Sequence, residues 1–557
     1  MAETPRYNEG TNANNPAGKT ENFVSKHFVR LLVWLAVSGG SLAIFGPWLL
    51  YAAGLTGETD ANLRLHILYV TGGTIAVLGL VETHHKNTVD HEKAKVEKEN
   101  YKKTQAHQTS VLEEQQRQFN VTTNQERKKI KADKAKNEQD HIRQVHAERR
   151  SRYTTAIEQL SSDKASIRLG GVYSLVGLVD EWLADEKTIR DIKERRKKGQ
   201  VIINNLCAYI RSPFPLAEQA EQLDGPYAKD LQQDFKGDKE KFDTDKRAFA
   251  QEKAALEEEC QVRQSIIKEI CERLQEFGAP GPWSNFNYDF SSTVFFYPTN
   301  FSDSFFGASS IFSGATFTDN VNFSVATFTD YADFNGAKFT DNTHFSWAKF
   351  TGSTHFSGAT FTDNASFSWA EFTGDADFSQ AEFTSADFSG AAFLLDADFS
   401  GAAFLLYADF SGAKFTSADF SGAAFLLYAD FSGAAFLLDA DFSEATFTQD
   451  ADFSETTFIA GYADFSETTF TGYADFSWVI FKYEPIFVYT LGNKTYKARF
   501  SYKVNPKNYK FDVSPKSCKI KIEEQEHNGT KFIIPKGTIL FDPDELPEQE
   551  DNNSNDS

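Results

Sequence analysis

A phenylalanine recurs every five or six residues over most of the segment between Phe290 and Phe481, usually with a small residue two positions earlier. A typical stretch reads A-D-F-S-G-A-A-F-L-L and contains Phe399 and Phe404. This period fits neither the helical period of about 3.6 residues nor the strand period of about 2 residues. It predicts a solenoid in which the chain turns a corner once per repeat and stacked repeats bury a continuous apolar core.

Two successive repeats, Ala408–Gly412 and Ala413–Ser417, read A-D-F-S-G and A-K-F-T-S. They resemble the consensus of the pentapeptide-repeat family, in which a small residue and Asp or Asn precede Leu or Phe. Residues 152–173 and 205–214 resemble segments of bacterial, membrane-anchored members of that family. The resemblance implies a right-handed, four-sided β-helix over residues 283–483, with four repeats per coil. Thirty-six regularly spaced phenylalanines then give about nine coils, and a rod about 43 Å long at the usual spacing of ~4.8 Å.

The phenylalanine spacing mostly alternates between five and six residues, so that a unit of eleven residues repeats. In a four-sided coil this adds a corner residue on alternate sides and gives about 22 residues per turn. The Asp that precedes a phenylalanine then falls on two opposite sides only, and we expect two acidic ladders. Their members are Asp333, Asp377, Asp398, Asp419, Asp441 and Asp464 on one side, and Asp387, Asp409, Asp430, Asp452 and Asp475 on the other.

The outward positions of the coils supply the candidate interaction residues. These are Asp398, Asp409, Asp419 and Asp430 from the ladders, and Leu405, Leu406, Leu426 and Leu427 from two leucine pairs that fall one coil apart. The sequence leaves two roles open for the aspartates, which either bond to backbone amides at the corners or present charge to a partner. The leucines either form an exposed apolar stripe, which would mark a partner site, or are buried beneath the corner.

The N-terminal region carries two apolar stretches, residues 28–55 and 65–81, after a polar segment, 1–22, that we expect to be disordered. Their lengths are typical of membrane-spanning helices, and together they predict a two-helix transmembrane hairpin over 23–83. Basic residues flank the two stretches on the outside and are scarce in the loop between them. This asymmetry predicts a cell-membrane protein with two spans and with both termini in the cytoplasm.

Helical patterns fill the chain between the apolar stretches and the repeats. The predicted elements are a charged helical stalk or coiled coil (84–150), a small helical module (151–215), and a charged helix with a cap for the first coil (216–282). In the third element, the residues seven positions apart are Phe235, Phe242, Phe249 and Leu256. Such a half seam favours packing against one partner helix, in this chain or in another copy.

After the repeats, short alternating segments over 484–541 predict a small β-module that caps the last coil. Its Asn528-Gly529 pair is a strong signal for a two-residue hairpin. Residues 542–557 form an acidic tail that we expect to be disordered. The predicted fold is thus a transmembrane hairpin, a charged stalk and a small α-helical module, followed by a four-sided β-helix capped by a small β-module.

The charge of the chain is concentrated in the repeats. The formal net charge is −22, and residues 289–481 contain 26 acidic residues, three lysines and no arginine. Such a surface does not favour direct binding of nucleic acid. The four cysteines are scattered without the spacing of metal ligands or of a disulfide framework. The sequence contains no recognisable catalytic, phosphate-binding or metal-binding motif, and it predicts neither an enzyme nor a cofactor.

Together these features predict a non-enzymatic, membrane-anchored scaffold that presents a rigid acidic β-helix to a cytoplasmic protein. The lipid bilayer would be a further partner, and the helices or the solenoid would allow self-association. The resemblance implies an alternative, since some soluble pentapeptide-repeat proteins resemble DNA in shape and charge and occupy the DNA site of type II topoisomerases. The chain would then regulate a DNA-binding enzyme by mimicry.

Overall fold

The computed structural model describes residues 21–55, 65–66, 69–70, 72–73, 93–227, 235 and 238–544. The segments predicted to be disordered, 1–22 and 542–557, lie almost wholly outside these residues. The chain divides into two compact units, Met1–Lys134 and Ala135–Ser557. The first unit contains helix α1 (Glu21–Ala52) and the beginning of a long helix, α2 (Lys93–Leu160).

The predicted transmembrane hairpin and the two-span localisation are wrong. Among the residues that the structure describes, no helix has both the length and the apolar character that crossing a bilayer requires. The first predicted span, 28–55, lies largely within α1, where Ser38–Ser41 and Pro47 interrupt the apolar residues. The second, 65–81, is described at six positions only. The predicted cytoplasmic placement of both termini depended on these spans and is withdrawn with them.

The charged segment that the sequence predicts as a helical stalk is helical from Lys93, and α2 continues without a break to Leu160. The helices that follow are α3 (Ala165–Ala184), α4 (Ile192–Arg211), α5 (Ala220–Asp224) and α6 (Lys239–Leu274), with a 3-10 turn at Pro215–Gln219. The end of α2 and helix α3 approach closely at Gly171, where a Cβ atom would lie 2.7 Å from the carbonyl oxygen of Ala156. A larger side chain would force the two helices apart, so this position requires glycine.

The residues of the predicted half seam contact other residues of the same chain. Phe242 and Phe249 of α6 lie edge-on to Tyr227, with ring centroids 5.6 and 5.3 Å away. Phe235 precedes α6 and contacts Phe242, while Leu256 is buried in the core of the helical module. The apolar side of α6 is therefore covered by its own chain at these positions.

A right-handed β-helix of about 9 turns follows the helices. Its strands are short because the chain turns a corner after every repeat, and each strand pairs in parallel with the strands one coil before and one coil after. The strands are Tyr288–Asp289, Val294–Phe295, Thr299–Asn300, Phe305–Phe306, Ser310–Ile311, Thr316–Phe317, Val321–Asn322, Thr327–Phe328, Ala332–Asp333, Lys338–Phe339, Thr343–His344, Lys349–Phe350, Thr354–His355, Thr360–Ser366, Glu371–Phe372, Ala376–Asp377, Glu382–Asp387, Ala392–Asp398, Ala403–Asp409, Lys414–Asp419, Ala424–Phe425, Tyr428–Asp430, Ala435–Phe436, Ala440–Asp441, Thr446–Phe447, Asp450–Asp452, Thr457–Phe458, Ala463–Asp464, Thr469–Phe470, Ala474–Asp475 and Ile480–Phe481.

Each coil has four sides, joined by two tight and two wide corners. In a central coil the sides are side 1 at Ala397–Asp398, side 2 at Ala403–Phe404, side 3 at Ala408–Asp409 and side 4 at Lys414–Phe415. The corners after sides 1 and 3 are tight turns at residues with positive φ, such as Gly401 and Gly412. The corners after sides 2 and 4 are wide, and the strand Ala403–Asp409 runs through one of them. The extra residue of the six-residue spacing lies at the wide corners, which confirms its placement on alternate sides.

The phenylalanines of all four sides point inward and stack in columns along the β-helix. Phe404 and Phe425 on side 2 have nearly parallel rings with centroids 4.9 Å apart, and Phe410 and Phe431 on side 3 show the same distance. All four side chains are buried, and so is Ala408, two positions before Phe410. Stacked aromatic pairs contribute roughly 0.5–1.5 kcal/mol beyond the burial of their area. The predicted inward direction of the phenylalanine and of its small neighbour is confirmed.

The helical module covers the first coil. A Cβ atom on Gly199 of α4 would lie 2.6 Å from the ring of Phe286, so the helix can sit on the coil only with glycine there. The side-chain amide of Gln200 donates a hydrogen bond to the carbonyl of Asn287 at 2.8 Å and accepts one from its backbone amide at 2.9 Å. These contacts satisfy backbone groups at the open end of the sheet, which would otherwise pair with another chain.

The C-terminal segment continues the phenylalanine columns and then closes them. Phe500 stacks on Phe470 at 5.0 Å, and its strand, Arg499–Ser501, pairs with Ile539–Phe541 as a final layer. Asn528 and Gly529 both have positive φ and form the predicted two-residue hairpin. The strands of this segment are Val488–Leu491, Lys494–Lys497, Arg499–Ser501, Tyr509–Lys510, Ile522–His527, Thr530–Pro535 and Ile539–Phe541.

A buried ion pair joins α2 to the end of α3. Arg149 lies 2.5 Å from Oδ2 of Asp185, and the backbone amide of Thr188 donates to Oδ1 at 3.0 Å. Burial raises the pKa of Asp185, but the hydrogen bonds from Thr188 and Arg149 outweigh burial and hold the pKa at about 2. Both charged side chains are largely shielded from solvent.

Replacing Phe410 tests the core. Phe410→Ala should lower the free energy of unfolding by about 3–5 kcal/mol, because it leaves a cavity in a stacked column. Phe410→Asp should unfold the neighbouring coils, since it buries an unpaired charge. Limited proteolysis and chemical denaturation measure both effects, with the exposed Leu406→Asp as a control that changes stability by no more than about 0.5 kcal/mol. Unchanged proteolysis of Phe410→Asp would contradict the inward register.

Asp185 gives the fold a specific dependence on pH. Its folded pKa of about 2 lies below the unfolded value of about 3.9, so the ion pair stabilises the fold above pH ~4 and the contribution is lost as pH falls towards 2. Asp185→Asn should therefore lower the free energy of unfolding by about 2 kcal/mol at pH 7. Denaturation at pH 7, 4 and 3 should show the difference from wild type shrinking with acidity. The exposed Asp163→Asn serves as control, and a difference independent of pH would contradict the assignment.

Candidate interaction surface

The two predicted acidic ladders are present on opposite sides of the β-helix. On side 1, Asp398 lies in register with Asp419 in the next coil, and on side 3, Asp409 lies in register with Asp430. The other predicted members follow the same registers. The ladder on side 1 is interrupted at His355, whereas the ladder on side 3 is continuous over five coils.

The candidate aspartates stabilise the corners of the coils. Oδ1 of Asp409 accepts a hydrogen bond from the backbone amide of Ser411 at 2.8 Å, and Asp430 accepts one from Ser432 at 2.7 Å. The other two candidates make the equivalent bonds. Carboxylates stacked ~4.8 Å apart repel each other by about 1 kcal/mol in a water-like dielectric, which these bonds offset. In the part of the chain that the structure describes, Oδ2 of Asp409 and of Asp430 has no hydrogen-bond partner.

The leucine pairs lie at the wide corner between sides 2 and 3, one coil apart as predicted. Leu406 and Leu426 are 43% and 42% exposed, and Leu405 and Leu427 are half-buried. The backbone amide of Leu426 donates to the carbonyl of Phe404 at 2.8 Å and holds the two pairs in register. Complete burial beneath the corner, the alternative that the sequence left open, is therefore excluded. We call these four side chains the leucine patch.

Each leucine pair is followed by an exposed tyrosine that was not among the predicted site residues. The rings of Tyr407 and Tyr428 stack with centroids 5.2 Å apart, and they are 55% and 42% exposed. Residues two apart on a strand point to the same face, so each ring lies beside the Asp two positions later. A signal existed in the sequence, because Leu-Leu-Tyr-Ala-Asp occurs twice, at 405–409 and 426–430.

A cavity of about 300 Å³ opens on side 3 beside these rings. The polar and aromatic side chains that line it are Tyr407, Asp409, Tyr428, Asp430, Asp450, Asp452 and Tyr473. Among the residues that the structure describes, no Lys, Arg or His pairs with any of the four carboxylates in this lining. We call this group the Tyr–Asp cavity. Its surface combines negative charge with exposed aromatic rings.

Side 3 continues one coil beyond the carboxylates of this cavity. There a lysine of the same chain contacts the Tyr and Asp of side 3. Lys510 is in register with Asp475, and its Nζ lies 2.8 Å from Oδ2 of Asp475 and 4.9 Å from the ring centroid of Tyr473. Burial raises the pKa of Asp475, but hydrogen bonds from Lys510, Ser477 and Tyr473 outweigh it, and the net pKa is lowered. The pKa of Lys510 is raised, first by Asp475 and then by Tyr473. Each charge therefore favours the ionised form of the other.

Two tryptophans lie at the tight corner between sides 3 and 4. Trp347 and Trp369 stack with centroids 5.3 Å apart, and each is 57% exposed. Their φ angles of 61° and 58° fall in a region that bulky residues rarely adopt. Gly390 continues this column, and a Cβ atom there would lie 3.0 Å from the ring of Trp369. Sequence reasoning missed this pair because it considered the aspartates before the phenylalanines and the leucines at the wide corners, and not the tight corners.

Three of the four cysteines are shielded from reaction by burial. All four are free, and burial raises the pKa of Cys207 to about 12, of Cys260 to about 11 and of Cys271 to about 12. These three thiols therefore stay protonated at neutral pH, and the thiolate is the nucleophilic form. Within the described ranges, no group of three or more His, Cys, Asp or Glu residues is arranged to hold a metal ion.

Comparison with known proteins identifies the repeats. Two family models, both described as pentapeptide repeats, match the chain: one at residues 324–368, 345–392, 356–403 and 431–477, the other at 394–436. No curated protein and no solved structure matches it. The matches lie within the β-helix, and they give no support to the membrane-anchored bacterial type that residues 152–173 and 205–214 suggested. Residues 324–477, within the β-helix, therefore consist of pentapeptide repeats.

Proposed function

We propose that this chain is a non-enzymatic scaffold whose β-helix presents a rigid acidic surface to a protein partner. The observation that carries the proposal is the leucine patch, which lies on the rod beside an acidic ladder and two stacked, exposed tyrosines. Contiguous exposed apolar side chains rimmed by polar residues commonly mark protein–protein contact sites. Interface cores are also enriched in tyrosine.

The energetics of the leucine patch suit a specific contact. Full burial of a leucine side chain contributes about 1.5–3 kcal/mol, so even partial burial of four supports a docked partner. The stacked phenylalanine columns hold the backbone beneath the patch, so that binding requires little ordering of the scaffold. Rigid presentation of this kind improves affinity without additional contacts.

The charge of the rod favours a basic partner. Residues 289–481 contain 26 acidic residues against three lysines. A surface of one sign accelerates the approach of an oppositely charged protein and repels acidic competitors. Salt should therefore slow association, while the apolar contact made by the leucine patch should be less sensitive to salt.

Replacing the leucine patch tests the scaffold proposal. The variant with Leu405, Leu406, Leu426 and Leu427 changed to serine should fold normally and lose its protein partner, because the apolar contact is gone. The matched control changes the leucines of the opposite wide corner, Leu394, Leu395, Leu437 and Leu438, to serine. Crosslinking of the tagged full chain in its own cells, followed by mass spectrometry, measures partner recovery, and sedimentation measures self-association. Equal recovery with the patch variant and the control would contradict the proposal, as would unfolding of the patch variant alone.

Mimicry of DNA is a second candidate, favoured by the two opposed carboxylate ladders. One carboxylate per ladder at each ~4.8 Å coil gives a charge about every 2.4 Å of rod, compared with about 1.7 Å for duplex DNA. The charge density of the rod is therefore lower than that of duplex DNA, but both are negative and regularly spaced.

Mimicry makes a prediction that the scaffold proposal does not share. The full chain should inhibit DNA supercoiling by a type II topoisomerase at low salt, and rising salt should weaken the inhibition. Changing Asp398, Asp409, Asp419 and Asp430 to Asn should abolish it, while the bonds to the serine amides persist because an Asn side-chain oxygen also accepts. A supercoiling assay without inhibition at low salt removes this candidate.

A further inference from the structure

Lys510 shows how side 3 of the β-helix holds a cation. Its ammonium group contacts the carboxylate of Asp475 and donates a hydrogen bond to the hydroxyl of Tyr473, two residues earlier in the chain. Tyr473 also donates a hydrogen bond to Asp475, which fixes the two groups relative to each other. A carboxylate beside a tyrosine attracts an ammonium group through charge and through a second hydrogen bond to the hydroxyl oxygen.

The same combination recurs on side 3 without a lysine. Tyr407 with Asp409, and Tyr428 with Asp430, precede Asp475 along one continuous ladder. Each tyrosine again lies two residues before its aspartate, so both side chains project from the same face of the strand. Among the residues that the structure describes, neither aspartate pairs with a cation, and both tyrosine rings are exposed.

We propose that the Tyr–Asp cavity binds lysine side chains of a partner protein, in the way that Tyr473 and Asp475 hold Lys510. This inference rests on the proposed scaffold function and names the chemistry of the segment that the scaffold recognises. The leucine patch adjoins the cavity directly, since Leu406 precedes Tyr407 and Leu427 precedes Tyr428. The recognised segment therefore carries apolar residues beside its lysines.

The lining of the cavity favours a lysine-bearing segment over other cations. A metal ion requires several converging oxygen ligands, and within the described ranges no group of three or more acidic, His or Cys side chains is so arranged. A small free cation would satisfy the carboxylates but leave the tyrosine rings and the leucine patch exposed. The volume of about 300 Å³ accommodates the ends of long side chains and not a folded domain. An ammonium group is also a cation that this column already holds, at Asp475.

The side 1 ladder provides a matched control within the same molecule. Asp398 and Asp419 occupy the ladder on the opposite side of the β-helix and cap their serines in the same way. The positions two residues earlier on side 1 are Asp396 and Ser417, not tyrosine. Lysine binding that depends on the Tyr–Asp pair should therefore distinguish the two sides, whereas non-specific attraction to the rod should not.

A fluorescence-anisotropy titration of the full chain tests the inference. The probe is a fluorescein-labelled dodecapeptide in which lysine alternates with either leucine or serine. A counterpart peptide carries glutamate in place of each lysine. The lysine peptide should bind wild type and the glutamate peptide should not. Asp409→Asn with Asp430→Asn should weaken binding about fivefold to tenfold, and Tyr407→Leu with Tyr428→Leu about fivefold. Asp398→Asn with Asp419→Asn should change affinity less than about twofold.

Each outcome decides the inference. Equal loss from the side 3 and side 1 aspartate variants would overturn it, since binding would then follow net charge alone, and so would full affinity in the tyrosine variant. Thermal unfolding of each variant shows whether the comparison is between folded proteins, and the tyrosine variant, which keeps every Asp–Ser bond, remains decisive if an aspartate variant unfolds. If the cellular partner needs the leucine patch but tolerates Asp409→Asn with Asp430→Asn, the scaffold function stands and this inference fails. If the lysine peptide binds side 3 but no partner depends on the patch, the scaffold function fails instead.

Discussion

Stacked parallel strands lie about 4.8 Å apart, and the rest of this structure depends on that distance. It is also the distance at which flat rings stack, which is why the rings of Phe404 and Phe425 lie parallel with centroids 4.9 Å apart. A phenylalanine on each side of each coil therefore builds four continuous columns, and a small residue beside it leaves room for the ring. The columns need closed ends, and the helical module and the C-terminal segment supply them through Gln200 and Phe500.

The same distance determines what the surface can present. A side chain at an outward position in one coil lies about 4.8 Å from the side chain at the same position in the next coil. Because the sequence repeats, these two side chains are often of the same type. For aromatic rings this is favourable, and Tyr407 stacks on Tyr428 as Trp347 stacks on Trp369. For carboxylates it is unfavourable, and the bonds to serine amides together with a counter-cation relieve the repulsion. Lys510 is such a cation at the end of the side 3 ladder.

Spacing along the chain was sufficient to predict the β-helix, the inward phenylalanines, the two acidic ladders and the alignment of the leucine pairs. Each of these depends on a period, and a period is visible in a single sequence. The Tyr–Asp cavity depends on the two-residue offset between Tyr407 and Asp409, and the cation proposed for it was inferred from Lys510, which comes from outside the repeats. The membrane spans were predicted from the length of apolar stretches in the sequence, and no helix among the described residues has both the length and the apolar character that a span requires. The spacing of the half seam could not identify Tyr227 as its partner, since a helix of another copy would satisfy the same spacing.

The central claim is the coil register that brings Tyr407 and Tyr428 together and so forms the cavity. An engineered disulfide measures it directly in the full chain. Tyr407 and Tyr428 occupy the same position in neighbouring coils, so their Cα atoms lie ~4.8 Å apart. With cysteine at both positions, this distance falls within the range of about 4.4–6.8 Å that a disulfide spans. Cysteine at Tyr407 and Asp450, two coils apart at ~9.6 Å, should not crosslink. Mass spectrometry after mild oxidation should therefore find the Tyr407→Cys/Tyr428→Cys bridge in high yield and the Tyr407→Cys/Asp450→Cys bridge absent. A failure of the first pair to crosslink, or crosslinking of the second, would contradict the register and with it the surface built upon it.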